Sequence, residues 1–152
     1  VAARWGVDDA IRELLLLMPR MVGRAKRLPV PEKVRSLDLS PRHLSLLALL
    51  LFDGAATVND LAARLEVAPT TVSLMVGELS RKGVLERRED DADRRRRIVS
   101  ISDEMRPDIE AWLAGSAAAW RKALTPLTET ERVVFVETLV AYERALEESY
   151  GD

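Results

Sequence analysis

Apolar residues recur at helical spacing along most of the chain, and the pattern switches to alternation in only one region. Ile11, Leu14, Leu15, Met18 and Val22 fall on one stripe, which predicts a first helix over residues 7–28. Pro19 lies inside it and should bend or split it, because proline removes a backbone donor and crowds the preceding turn. Residues 29–39 hold two prolines and mixed charge, and read as a loop. Ser40-Pro41 then pairs a capping hydroxyl with a first-turn proline, which opens a second helix running to Phe52 and stopping near Gly54. Apolar side chains cover nearly all of its faces from Leu44 onward, so it should be central and buried.

A third, short helix is predicted over residues 58–65, with Thr57 as its cap and Asp60 three positions on. After a turn at 66–68, Pro69 opens a fourth helix that ends at Lys82-Gly83. Val72, Met75, Val76 and Leu79 share one face of it, leaving Thr70, Thr71, Ser73, Leu74 and Glu78 outside. The alternating runs are residues 84–88 and 97–101, with Val99 and Ile101 facing one way and Ile98 and Ser100 the other. The charged segment 89–96 joins them as a hairpin. Two more helices follow, one over residues 103–123 whose start Pro107 makes irregular or late, the other over 128–150 behind a Thr128–Glu131 capping box. The fold class is therefore mainly α with a small β-hairpin wing, six helices in all. A winged helix-turn-helix at 39–102 stands between an N-terminal helix and loop (1–38) and C-terminal helices (103–152), both read as dimerisation parts.

Composition narrows the chemistry. There is no cysteine and one histidine in 152 residues, which removes disulfides, thiol catalysis, thiolate metal sites and histidine-rich zinc sites. No paired carboxylates, nucleophile–base set or phosphate loop stands out, so no catalytic residue, metal or cofactor is expected, and the chain does not read as an enzyme. No signal peptide or membrane span is apparent, which makes the cytoplasm the expected location. The net charge of −2 hides an uneven distribution. Residues 81–97 carry eight basic and five acidic side chains, whereas residues 98–152 carry five basic and eleven acidic. A basic middle with an acidic tail half points to a localised anionic partner.

A packed helix whose outer face carries small hydroxyls, set beside an arginine-rich hairpin, has the parts needed to enter a major groove and grip the neighbouring backbone. Here the chain resembles the multiple-antibiotic-resistance regulator (MarR) family. The resemblance is carried by Leu61-Ala62, Val67, Thr71-Val72-Ser73, Leu79, Lys82-Gly83-Val84-Leu85, Arg87, Asp93-Arg94-Arg95 and Ile101-Ser102, with Leu39-Ser40-Pro41-Arg42-His43 upstream. It implies a regulator that binds double-stranded DNA as a homodimer on a pseudo-palindromic operator, with the first and last helices forming the interface. It further implies contacts to DNA from Thr70, Thr71, Ser73 and Leu74 on the recognition helix. In the wing, Arg94, Arg95 and Arg96 would face DNA, with Arg95 in the minor groove and Asp93 orienting it. Leu74 and Glu78 stand where many members carry basic residues, and Met105 replaces a frequent glycine. Leu74 could read a thymine methyl; Glu78 could accept from a cytosine amine or weaken binding.

Plainer readings stand beside these. Asp93 is also a common turn residue, and the hydroxyls also suit a helix start. The resemblance offers an effector cleft to which Arg20, Arg24, His43 and Trp112 could contribute, suited to a small anionic aromatic molecule. His43, three residues after Ser40, equally suits a capping box, and Arg20 and Arg24 equally suit solvent. Val133, Val136, Val140 and Leu146 give the last helix more apolar surface than a lone helix needs. A winged-helix module for protein contact and an effector-independent DNA binder are the competing readings.

Overall fold

The computed structural model describes residues 5–150, which form two compact units, one ending at Gly115 and the next beginning at Ser116. Seven helices and one hairpin follow in the order α1 (Val7–Ala25), α2 (Glu32–Arg35), α3 (Pro41–Asp53), α4 (Val58–Leu65), α5 (Pro69–Arg81), β1 (Leu85–Glu89), β2 (Arg97–Ile101), α6 (Arg106–Leu124) and α7 (Glu129–Tyr150). The element that periodicity missed is α2, a single turn inside the expected loop. Four residues are too few to show a helical period, yet Val34 within it is 2% exposed and belongs to the core. Pro19 does not split α1, which runs on through it. The helix is exposed there, so a carbonyl left without its amide can be hydrated. Arg20 Nε also donates to the Leu16 carbonyl in the adjoining turn.

The core of the first unit gathers Leu46, Leu47 and Leu50 of α3, Leu61 of α4, Val72, Val76 and Leu79 of α5, and Ile109 of α6. Two capping boxes set the entry of its helices. Ser40 Oγ accepts the His43 amide, and Thr57 Oγ1 accepts the Asp60 amide. The hairpin pairs Leu85 with Ile101 and Arg87 with Val99 in antiparallel register. Val99 is also bonded in both directions to Ala56, its amide donating at 2.8 Å and its carbonyl accepting at 3.1 Å. The hairpin root is thus tied to the α3–α4 connection.

As Pro107 signals, α6 starts late, at Arg106 and not at 103, and the residues before it are organised by Ser102. Its buried hydroxyl donates to the Gly83 carbonyl at 2.8 Å and accepts the Met105 amide at 3.3 Å, holding 103–105 as a turn. Pro107 then falls in the first turn, where no backbone donor is needed.

In the second unit, Arg132 of α7 donates to the Leu124 and Thr125 carbonyls, which closes the turn after α6. Trp120 and Phe135 stack at a tilt with centroids 5.8 Å apart. Neither α1 nor α7 contains a buried residue. Among the described residues, no helix is long and apolar enough to cross a membrane.

Candidate nucleic-acid interface

The turn between α4 and α5 is closed by Glu66, which adopts a left-handed conformation at φ 54° while its amide bonds the Ala62 carbonyl. Val67 also donates to Ala62, so the chain reverses tightly and Pro69 starts α5 at once. The α5 face made of Val72, Met75, Val76 and Leu79 is buried. Thr70, Ser73 and Leu74 are exposed and Thr71 is half-buried. Leu74 is 74% exposed and lies on the outer face with the hydroxyls.

The N-terminus of α5 differs from those of α3 and α4. No side chain caps it, since Ala68 holds the cap position. The first amides of the helix therefore point outward unpaired, among hydroxyls and at the positive end of the helix dipole. That end suits an anion such as a phosphate.

The hairpin tip is organised by its aspartates. Asp90 Oδ1 accepts the Ala92 amide, and Asp93 Oδ1 accepts the Arg95 amide at 3.0 Å. The same Asp93 oxygen stands 3.6 Å from Arg95 Nε, while the Arg95 side chain is 95% exposed. Asp93 thus closes the tip turn and lies beside the Arg95 side chain. Arg94 projects into solvent. Arg96 turns back toward the body, 3.6 Å from Asp60 on α4 and 4.0 Å from Asp90. Between α4 and the tip lies an open cleft of about 470 Å³, lined by Thr57–Asp60 and Arg95–Arg97.

Two arginines that were not singled out as contact residues join this surface. A Cβ placed on Gly77 would stand 3.5 Å from Arg81 Nη1 and 3.5 Å from Arg87 Nη2, so both guanidinium groups reach over the same glycine. No carboxylate among the described residues pairs with either. The signal was a glycine in mid-helix followed by an arginine on the same strand face as buried Leu85.

Glu78 corrects an expectation. Counting along the helix placed it on the outer face as a possible base reader, but its carboxylate turns toward α3. One oxygen lies 3.3 Å from His43 Nε2 and the other 3.4 Å from Lys82 Nζ. His43 is 6% exposed, and its Nδ1 accepts the Ser40 amide at 3.1 Å, so protein groups occupy both ring nitrogens. Of the other effector candidates, Arg20 folds back on α1, Arg24 is exposed in its last turn, and Trp112 packs half-buried against the core of the first unit.

A helix, a tight turn, a second helix with an exposed polar face and a hairpin beside it define a winged helix-turn-helix protein. A model of the MarR family matches residues 37–96. The transcriptional repressor MdtR of Bacillus subtilis is 36% identical over 104 residues, covering 66% of this chain and 67% of that protein. The chain belongs to the MarR family, whose members are transcription regulators and not enzymes. The crystal structure of YusO from Bacillus subtilis is similar with a TM-score of 0.56 at 27% identity, over 93% of this chain and 99% of that one. A MepR mutant from S. aureus bound to an oligodeoxyribonucleotide shares the fold, with a TM-score of 0.55 at 23% identity over 94% of this chain and 99% of that one.

Proposed function

We propose that this regulator is a repressor that binds double-stranded DNA, reading it through the N-terminal half of α5 and gripping the adjoining backbone through the wing. The observation that carries the reading is the uncapped start of α5, where open amides and the hydroxyls of Thr70, Thr71 and Ser73 lie on one exposed surface. The Asp93-guided Arg95 supplies a cation that can enter the minor groove. Arg81 and Arg87 add charge for a phosphate farther along α5. MdtR, named a repressor, and the MepR structure with bound DNA support the same direction.

A homodimer follows from the apolar surface that α1 leaves uncovered, with Leu14, Leu15 and Leu16 each at least half exposed. Two-fold symmetry would set two recognition helices about 34 Å apart, in successive major grooves, on a pseudo-palindromic site.

The test is to select duplexes from a random library with the full chain and follow their affinity as salt is raised. Several phosphate contacts require a steep linear fall of log K with log salt. Selection of no duplex, or affinity indifferent to salt, would remove DNA as the partner and favour a winged-helix module for protein contact.

A further inference from the structure

The polar contacts of Glu78 form a closed circuit. The Ser40 amide donates to His43 Nδ1, and His43 Nε2 faces one Glu78 oxygen. Lys82 Nζ faces the other Glu78 oxygen and donates to the Leu37 carbonyl at 2.9 Å. Leu37 presents that carbonyl just before Asp38, which is held in a left-handed conformation at φ 50°. An α5 residue and the residue capping its C-terminal end are thereby fastened to the loop before α3 and to the first turn of α3. Packing of the inner face sets the depth of α5 and excludes large rotations about its axis, but apolar contacts are non-directional and resist small ones less than polar contacts do. The Ser40–His43, Lys82–Glu78 and Lys82–Leu37 hydrogen bonds are directional, and together with the His43–Glu78 ion contact they oppose that rotation.

Building on the proposal that α5 reads DNA, we infer that His43, Glu78 and Lys82 set the roll of the recognition helix, so that His43 and Glu78 govern sequence discrimination without touching a base. They are positioning residues. Glu78 lies two turns beyond Thr70 and Thr71, and a small rotation there moves Thr70, Ser73 and Leu74 sideways across the base edges. Contacts to phosphates tolerate such a shift better than contacts to bases do.

The experiment compares a duplex selected by the parent chain with a scrambled duplex of equal length. His43→Gln keeps an acceptor for the Ser40 amide, as glutamine does in a capping box, but has no second ring nitrogen to present to Glu78. Glu78→Ala removes the acceptor, and Glu78→Gln restores a neutral one. The expected result is a selected-to-scrambled affinity ratio that falls about tenfold in His43→Gln and in Glu78→Ala, the cost of a mismatched base pair. The double variant should be no worse than either single, and Glu78→Gln should recover much of the ratio. Scrambled-duplex affinity of His43→Gln and its salt slope should stay at parental values, and circular dichroism should report a folded chain.

An unchanged ratio in both His43→Gln and Glu78→Ala would overturn the inference. So would equal tightening on both duplexes in Glu78→Ala and Glu78→Gln, because the carboxylate would then act only by repelling phosphate. Proportional loss on both duplexes, tracking a loss of folded protein, would overturn it as well. If the parent itself selects no duplex, it is the DNA reading that fails, and the circuit has nothing to position.

Discussion

Individual side chains at the wing divide by what they touch. Arg95 is almost fully exposed and restrained only by Asp93, so removing it should cost the fold nothing. Arg95→Ala is therefore expected to weaken binding to a selected duplex by ten- to a hundredfold, roughly 1–3 kcal/mol, with the thermal melting curve unchanged. Fluorescence anisotropy and a melt on the same preparation check both halves. Parental affinity would show that the wing tip does not reach DNA. The Asp93–Arg95 pairing is local, two positions apart in the chain, and it was the family resemblance, not residue order, that pointed to it. The place of Glu78 was legible in neither. A helical wheel says which residues lie outside the apolar stripe, but not that His43, from a distant part of the chain, stands opposite one of them.

At the level of elements, caps and periodicity fixed α3, α4 and α5 closely, because each carries both a start signal and an apolar stripe. Where one signal was missing, the expectation slipped. The single turn α2 is too short to have a period, whereas the late start of α6 was signalled by Pro107 and is held by the Ser102 bond to Gly83, a tertiary contact no residue order shows. Gly77 gives a testable case of local preference against packing. Glycine in a helix interior costs about 0.5–1 kcal/mol relative to alanine. A methyl group there would meet only the tips of Arg81 and Arg87, at ordinary contact distance. Gly77→Ala should therefore raise unfolding stability by about that amount in urea titration. A loss of stability instead would mean that α5 needs the space at Gly77 for its own packing.

For the whole molecule, the decisive feature is apolar surface on helices that bury nothing. Leu15 of α1 is 68% exposed, and Val134 of α7 is 58% exposed. In a monomer, replacing so exposed a leucine with a charged residue would be nearly neutral. In a dimer built on that face it would bury an unpaired carboxylate. Leu15→Glu is accordingly expected to shift the chain from dimer to monomer in sedimentation velocity and to weaken DNA binding through loss of the second half-site. A monomeric parent, or a dimeric variant, would show that α1 is not the interface. Apolar periodicity alone marked α1 and α7 as helices with a sticky face, since that much depends on residue order. Which surfaces would meet in a dimer depends on the folded shape of both protomers, which apolar periodicity does not show.

The reciprocal backbone bond between Ala56 and Val99 anchors the base of the wing, and the Arg96–Asp60 ion pair ties its far end back to α4, leaving the Arg94 and Arg95 side chains in solvent. On the proposed DNA reading, wing and α5 would meet a duplex as one body, and the Arg95 side chain alone would adapt to grooves of different width.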